Sequence, residues 1–131
     1  MSHLLDVSFL VACAWSSHAD HASANRWLNS TAKFATASIT QMGFLRVSMS
    51  AACGASFADA QNVLRAILQL KSHHLVADAV PADSLPPLSS SKDVTDAHFV
   101  RLAASHRLRL ATLDGELCKK TWAVGIAENP L

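Results

Sequence analysis

The stretch 93-DVTDAHFVRLAASHRLRLATLDGEL-117 decides the fold class. Asp93 stands where an N-cap belongs, and the spacing of Phe99, Val100, Leu102 and Ala103 predicts a helix through His106 with those residues facing inward. The run 109-RLATL-113 then reads as a buried strand that ends on Asp114. A helix feeding a strand with an acid at its carboxyl end is half of an α/β unit. The same logic, in strand-then-helix order, opens the chain. His3-Leu4-Leu5 reads as a short strand ending at Asp6, after which Val7, Leu10, Val11 and Trp15 adopt helical spacing.

Between these ends the elements keep alternating. Ala22, Ala24, Trp27 and Leu28 predict a second helix after the polar break at Ser16 to Asp20, and Lys33 to Thr36 a second strand. Ser38 is expected to cap a helix carrying Ile39, Met42, Leu45, Val47 and Met49, with Gln41 in its first turn. Cys53-Gly54-Ala55 breaks the pattern, and Ser56 with Asp59 three residues on resembles a capping arrangement for a helix bearing Val63, Leu64, Ile67 and Leu68. Residues 74-HLVAD-78 form a strand candidate. Val80 to Lys92 holds all but one of the prolines and reads as a loop. Strands alternating with helices predict a parallel sheet covered on both faces, with ligands at the carboxyl ends of the strands. Asp6 and Asp114 follow two such ends and Asp96 lies in the first turn of the helix between, so all three are expected on one edge.

Composition bounds the rest. At 131 residues the chain fits one domain, 1–131, long enough to bury a core without structural staples. Half of the residues are hydrophobic and 16% are charged, which argues against disorder and suggests a face buried on a partner. The formal net charge of +1 makes no global case for nucleic acid, so any hold on a phosphate backbone must be local or come through bound cations. Cys13, Cys53 and Cys118 lack paired spacing, which suits a reducing compartment, and the amino terminus lacks a basic secretory segment. A soluble cytoplasmic protein without a membrane span is the expectation. The missing Gly-rich phosphate loop and G-x-S-x-G elbow exclude nucleotide-cofactor and serine-hydrolase classes. A phosphatase with an Asp nucleophile would want a second Asp near Asp6, where Val7 and Ser8 stand.

Clustered carboxylates imply a particular chemistry. Two unit charges about 4 Å apart repel by roughly 4 kcal/mol at an effective dielectric near 20, so such a cluster needs a cation or shifted pKa values. Oxygen-only ligands favour Mg²⁺ or Mn²⁺, and such ions usually bind substrate phosphate and support phosphodiester hydrolysis. Each acid also has a plainer role open to it. Asp96 would complement the positive end of its helix, Asp6 and Asp114 would be ordinary turn residues, Asp93 a cap and Glu116 a solvated first-turn carboxylate.

Three stretches, 4-LLDVSFLVACAW-15, 36-TASITQMGFLRVS-48 and the one quoted first, together resemble the PIN-domain family in its VapC-like toxin branch. In that family a hydrophobic strand ends in Asp, a helix opens with Thr-Asp-Ala, and a following strand ends in Thr-x-Asp; here these match Asp6, Thr95-Asp96-Ala97 and Thr112-Leu113-Asp114. The resemblance implies a three-layer α/β/α sandwich with a mostly parallel central sheet. It also implies an endoribonuclease toxin that hydrolyses RNA phosphodiester bonds with Mg²⁺ or Mn²⁺, is commonly a homodimer, and is neutralised by a VapB-like antitoxin. Asp6, Asp96 and Asp114 would be the catalytic and metal-holding residues, with Ser8, Gln41, Thr112 and Glu116 in support. Two departures stand out. Ser8 replaces a frequent Asn but still donates a hydrogen bond, and Gln41 occupies the position of a Glu, with no Glu anywhere before Glu116 to replace it. A neutral amide cannot supply charge or act as a base. The alternative is therefore a catalytically impaired PIN-like module that binds RNA or an antitoxin.

Among the remaining candidates, Arg46, Lys119 and Lys120 are the RNA-facing cations, while Arg101 and Arg107 read as solvated surface. His18 and His21 have a spacing that would suit metal ligands but no third partner, so both, with His73, His74 and His98, are expected at the surface. Trp15, Trp27, Phe44 and Phe57 are expected in the core or a dimer face rather than stacked on bases.

Overall fold

The structure is a computed structural model and describes residues 2–131; Met1 lies outside the described residues. The elements run β1 (His3–Leu5), α1 (Val7–Ala14), α2 (His21–Ser30), β2 (Phe34–Thr36), α3 (Ser38–Ser48), α4 (Phe57–Leu68), β3 (His73–Leu75), α5 (Val94–Ser105), β4 (Arg109–Ala111), α6 (Gly115–Lys119) and β5 (Ala127–Glu128). All pairings are parallel, in the order β3-β2-β1-β4-β5. The sheet is thus wound outward in both directions from β1 and β4, the expected three-layer α/β/α fold.

Alternation along each short strand divides the core. Leu5, Phe34 and Ala111 pack with Phe9, Leu10, Phe44, Leu64 and Ile67 on one face, while Leu4, Ala35 and Leu110 pack with Phe99, Val100, Leu102 and Leu117 on the other. α1 is buried along most of its length, from Phe9 to Cys13, because α2, α3 and the sheet enclose it. α3 comes so close to α1 that a Cβ on Gly43 would stand 2.4 Å from Val7 Cγ2. Glycine is required there by contact, not by backbone conformation. The end of α5 is equally defined. Leu108 N–H donates to Ala103 O and Arg107 N–H to Ala104 O, a Schellman turn that holds Arg107 at φ 57 and delivers the chain into β4.

Several expectations are corrected. β3 is shorter than 74–78 and begins at His73, and β5 has no counterpart in the sequence reading. Ala37, not Ser38, is the N-cap of α3; the first-turn Thr40 hydroxyl accepts from Ala37 N–H and donates to Leu5 O. Asp93 occupies the N-cap of α5 but makes no side-chain cap, since a short helical turn, Ser91–Asp93, leads into the helix. The buried stripe of α3 is Thr40, Phe44 and Ser48, so Met42, Val47 and Met49 face outward; Phe57 is likewise exposed. No helix among the described residues is long and apolar enough to cross a membrane.

Candidate active site

The two central strands end side by side, with Leu5 paired to Ala111. Asp6 follows at once, and its N–H donates to Ala111 O, which extends the parallel ladder one step past β1. As N-cap of α1 it accepts from Phe9 N–H (2.8 Å) and from the Ser8 hydroxyl (3.1 Å), both on Oδ1. Ser8 therefore does what its hydroxyl allowed, orienting the first acid. Asp6 is buried, and burial pushes its pKa up; hydrogen bonds from Thr112, Phe9 N–H and Ser8 pull it back, and the Asp114 charge adds to the rise. Thr112, itself fully buried, accepts Asp114 N–H on its hydroxyl oxygen (3.1 Å) and so links the second strand end to the first acid.

Asp96, in the first turn of α5, is half-buried. Its carboxyl is pushed up to about 6, by burial first and then by the negative charges of Asp6, Asp114 and Asp93. The three acids of the sequence reading thus act on one another electrostatically, although not symmetrically. Asp6 and Asp96 line one cavity of about 420 Å³ together with Ser8, Thr95, Val7, Val11, Val47, Cys53, Phe99 and His18. Asp114 lies outside that lining, exposed, and caps α6 by accepting from Glu116 N–H (3.0 Å) and Leu117 N–H (3.2 Å) through Oδ1.

The supporting residues divide further. Gln41 donates its amide to Thr36 Oγ1 (3.0 Å), which in turn contacts His73 Nε2 (2.8 Å), and it is not part of the cavity lining. The Thr36 hydroxyl oxygen thus accepts from Gln41 and is shared with the His73 ring, which links the first turn of α3 to β2 and β3. Glu116 is exposed and pairs with Lys119 (3.4 Å), and Lys120 reaches Asp93 (3.8 Å). Arg46 is exposed in the last turn of α3. None of these cations lines the cavity. Beyond Asp6, Ser8 and Asp96, the lining holds two side chains with nitrogen or oxygen groups, Thr95 and His18, that the sequence does not single out as site residues. Thr95 enters the sequence reading only within the Thr-Asp-Ala motif and His18 only as a surface residue; the place of His18 depends on how the turn between α1 and α2 folds back, which no local spacing reveals. His21 is structural, its Nδ1 donating to Ala12 O (2.9 Å) at the end of α1.

A family model described as PIN domain matches residues 3–123. The chain belongs to the PIN domain family. Ribonuclease VapC38 of Mycobacterium tuberculosis is 41% identical over 120 residues, covering 85% of this chain and 84% of that protein. In fold, this PIN domain is similar to the Mycobacterium tuberculosis toxin VapC20, described as cleaving the sarcin-ricin loop (TM-score 0.67, 16% identity, 89% and 92% of the two chains). It is similar also to a chain of VapBC2 from Rickettsia felis bound to a fragment of its promoter DNA (TM-score 0.62, 14% identity, 98% of each chain).

The donor set of this PIN domain suits a hard divalent cation. Asp6 and Asp96 line one cavity, and the Asp96 carboxyl is pushed up by burial first and then by the negative charges of Asp6, Asp114 and Asp93, both of which a bound cation would offset. Among the described residues no three His, Cys, Asp or Glu side chains are grouped closely enough to form a ligand cluster on their own. Two carboxylates with the remaining positions filled by water and substrate phosphate is the arrangement magnesium-like ions usually take.

Proposed function

We propose that this PIN domain is an endoribonuclease, the toxin of a VapBC-like pair, which hydrolyses RNA phosphodiester bonds at the Asp6–Asp96 cavity. The observation that carries the reading is the pair of acids lining one cavity at the carboxyl ends of the central strands, with Asp96 driven up to about 6 partly by its neighbours' charge. Asp6 and Asp96 would hold a Mg²⁺ or Mn²⁺ ion, which supplies charge neutralisation and lowers the pKa of bound water. The protein's own residues do the positioning. Phe9 N–H and Ser8 fix Asp6 Oδ1, and Thr112 ties the β4 end to Asp6. Asp96, half-buried, would take a proton from the attacking water as its oxygen bonds to phosphorus, and pass it to the ribose oxygen whose bond to phosphorus breaks. Asp114, outside the cavity lining and exposed, adds negative charge to both acids and would reach the ion only through water.

The fold likeness to a chain of VapBC2 supports a VapB-like antitoxin as partner. Exposed Met42 on α3, Met49 just after it and Phe57 at the start of α4 support a homodimer, and unpaired cysteines support a cytoplasmic setting. The impaired-module reading has one observation in its favour, since Gln41 spends its amide on Thr36 and brings no charge to the site. Purified protein freed of antitoxin, incubated with structured RNA and Mn²⁺ or Mg²⁺, separates the two. The nuclease reading expects cleavage by the wild type and none by Asp96→Asn. Equal cleavage by both rejects it, and cleavage only by Gln41→Glu favours the impaired module.

A further inference from the structure

His18 is the only basic side chain lining the acid cavity. It sits in the turn joining α1 to α2, which is fixed on both sides: His18 N–H donates to Trp15 O (3.1 Å), and His18 O accepts from His21 N–H (3.1 Å). The ring is fixed as well. Its Nδ1 accepts from Asp20 N–H at 3.0 Å. A backbone N–H only donates, so Nδ1 carries no proton in that contact and the neutral ring bears its proton on Nε2. Among the described residues no protein group takes Nε2–H. The turn therefore holds a preset hydrogen-bond donor at a cavity whose other polar groups are the Asp6 and Asp96 carboxylates and the hydroxyls of Ser8 and Thr95.

An RNA strand entering this cavity brings its own negative charge against two aspartates. The cationic residues Arg46, Lys119 and Lys120 do not line it, and the Ser8 proton is spent on Asp6. We infer that His18 is an RNA-contacting residue, its Nε2–H donating to a non-bridging phosphate oxygen of the strand held at the Asp6–Asp96 cavity. This rests on the nuclease reading, and it adds a positioning contact which that reading does not need.

The test uses a fluorescein-labelled structured oligoribonucleotide and anisotropy, with Asp96→Asn protein so that no turnover occurs. Adding His18→Phe to that background is expected to weaken binding about ten-fold, the scale of one hydrogen bond to a charged group. His18→Gln, whose amide nitrogen reaches the Nε2 position, is expected to bind within about three-fold of the parent on the same scale. In the otherwise wild-type enzyme His18→Phe should raise KM with kcat nearly unchanged. Equal binding by the parent and His18→Phe overturns the inference while leaving the nuclease reading intact. Loss in both His18→Phe and His18→Gln also overturns it, since His18 would then serve only its turn. No RNA binding by any variant overturns the nuclease reading and this inference together.

Discussion

Replacing Asp96 by Asn removes a charge that the fold tolerates at a cost, so the variant should be more stable than the wild type wherever that carboxyl is ionised. The carboxyl is raised from 3.8 to about 6, which makes its ionised form less favourable in the folded protein than in the unfolded chain. At about 1.36 kcal/mol per unit the rise corresponds to at most about 3 kcal/mol. The group is only half-buried, and solvent screening reduces this to about 1–2 kcal/mol. The sign follows from proton linkage. A carboxyl with a raised folded pKa binds more protons folded than unfolded between about 4 and 6, so its contribution is most favourable below that window and is lost as pH rises through it. For a chain of 131 residues, 1 kcal/mol moves Tm by about 3–4 °C. Thermal unfolding in chelator should therefore show Asp96→Asn melting about 3–8 °C above the wild type at pH 8, with the gap closing towards pH 4. Equal melting temperatures at pH 8, or a variant that melts lower, would refute the claim that burial and neighbouring negative charge disfavour the ionised Asp96 carboxyl.

Other perturbations test the scaffold around the site. Thr36→Val removes the hydroxyl that takes the Gln41 amide and serves His73 Nε2, leaving both unpaired; denaturant unfolding should show a loss of about 1–3 kcal/mol, and an unchanged midpoint would deny the relay. Gly43→Ala forces a methyl against Val7 and should cost about 1–3 kcal/mol, much of it recovered by adding Val7→Ala; a double variant no better than the single would place the strain elsewhere. Arg107→Gly relieves a left-handed residue in the turn before β4 and should stabilise by about 0.5–1 kcal/mol, visible as a higher denaturant midpoint.

The parts of this fold visible in the sequence are those where burial and chain period agree. β1 and β4 are apolar runs that stop at an acid, and α5 carries its inward residues Phe99, Val100, Leu102 and Ala103 at helical spacing. The misreadings arise where they disagree. α3 buries Thr40 and Ser48, a threonine bonded to Leu5 O and a serine taking the Trp15 indole N–H, while Met42 and Met49 face outward; hydropathy alone assigns the wrong stripe. β5 is two residues long and exists through pairing with Leu110 and Ala111, which leaves no local pattern to detect. The site divides the same way. Asp6 and Asp96 are legible because their positions at a strand end and a helix start are local facts that the topology then gathers. Gln41 was legible as a departure but not as a donor to Thr36, since that partner is set by the approach of α3 to β2. His18 was illegible because its value lies in a turn that brings it back over α1.

The account depends on Asp6 and Asp96 sharing one cation, and Mn²⁺ binding to antitoxin-free protein measures this directly. Titration followed by electron paramagnetic resonance should show one ion bound by the wild type, with affinity at least about ten-fold lower in Asp6→Asn and in Asp96→Asn, while circular dichroism shows both variants folded. Wild-type affinity retained in both variants would contradict it, because the ion would then be held by something other than these two acids.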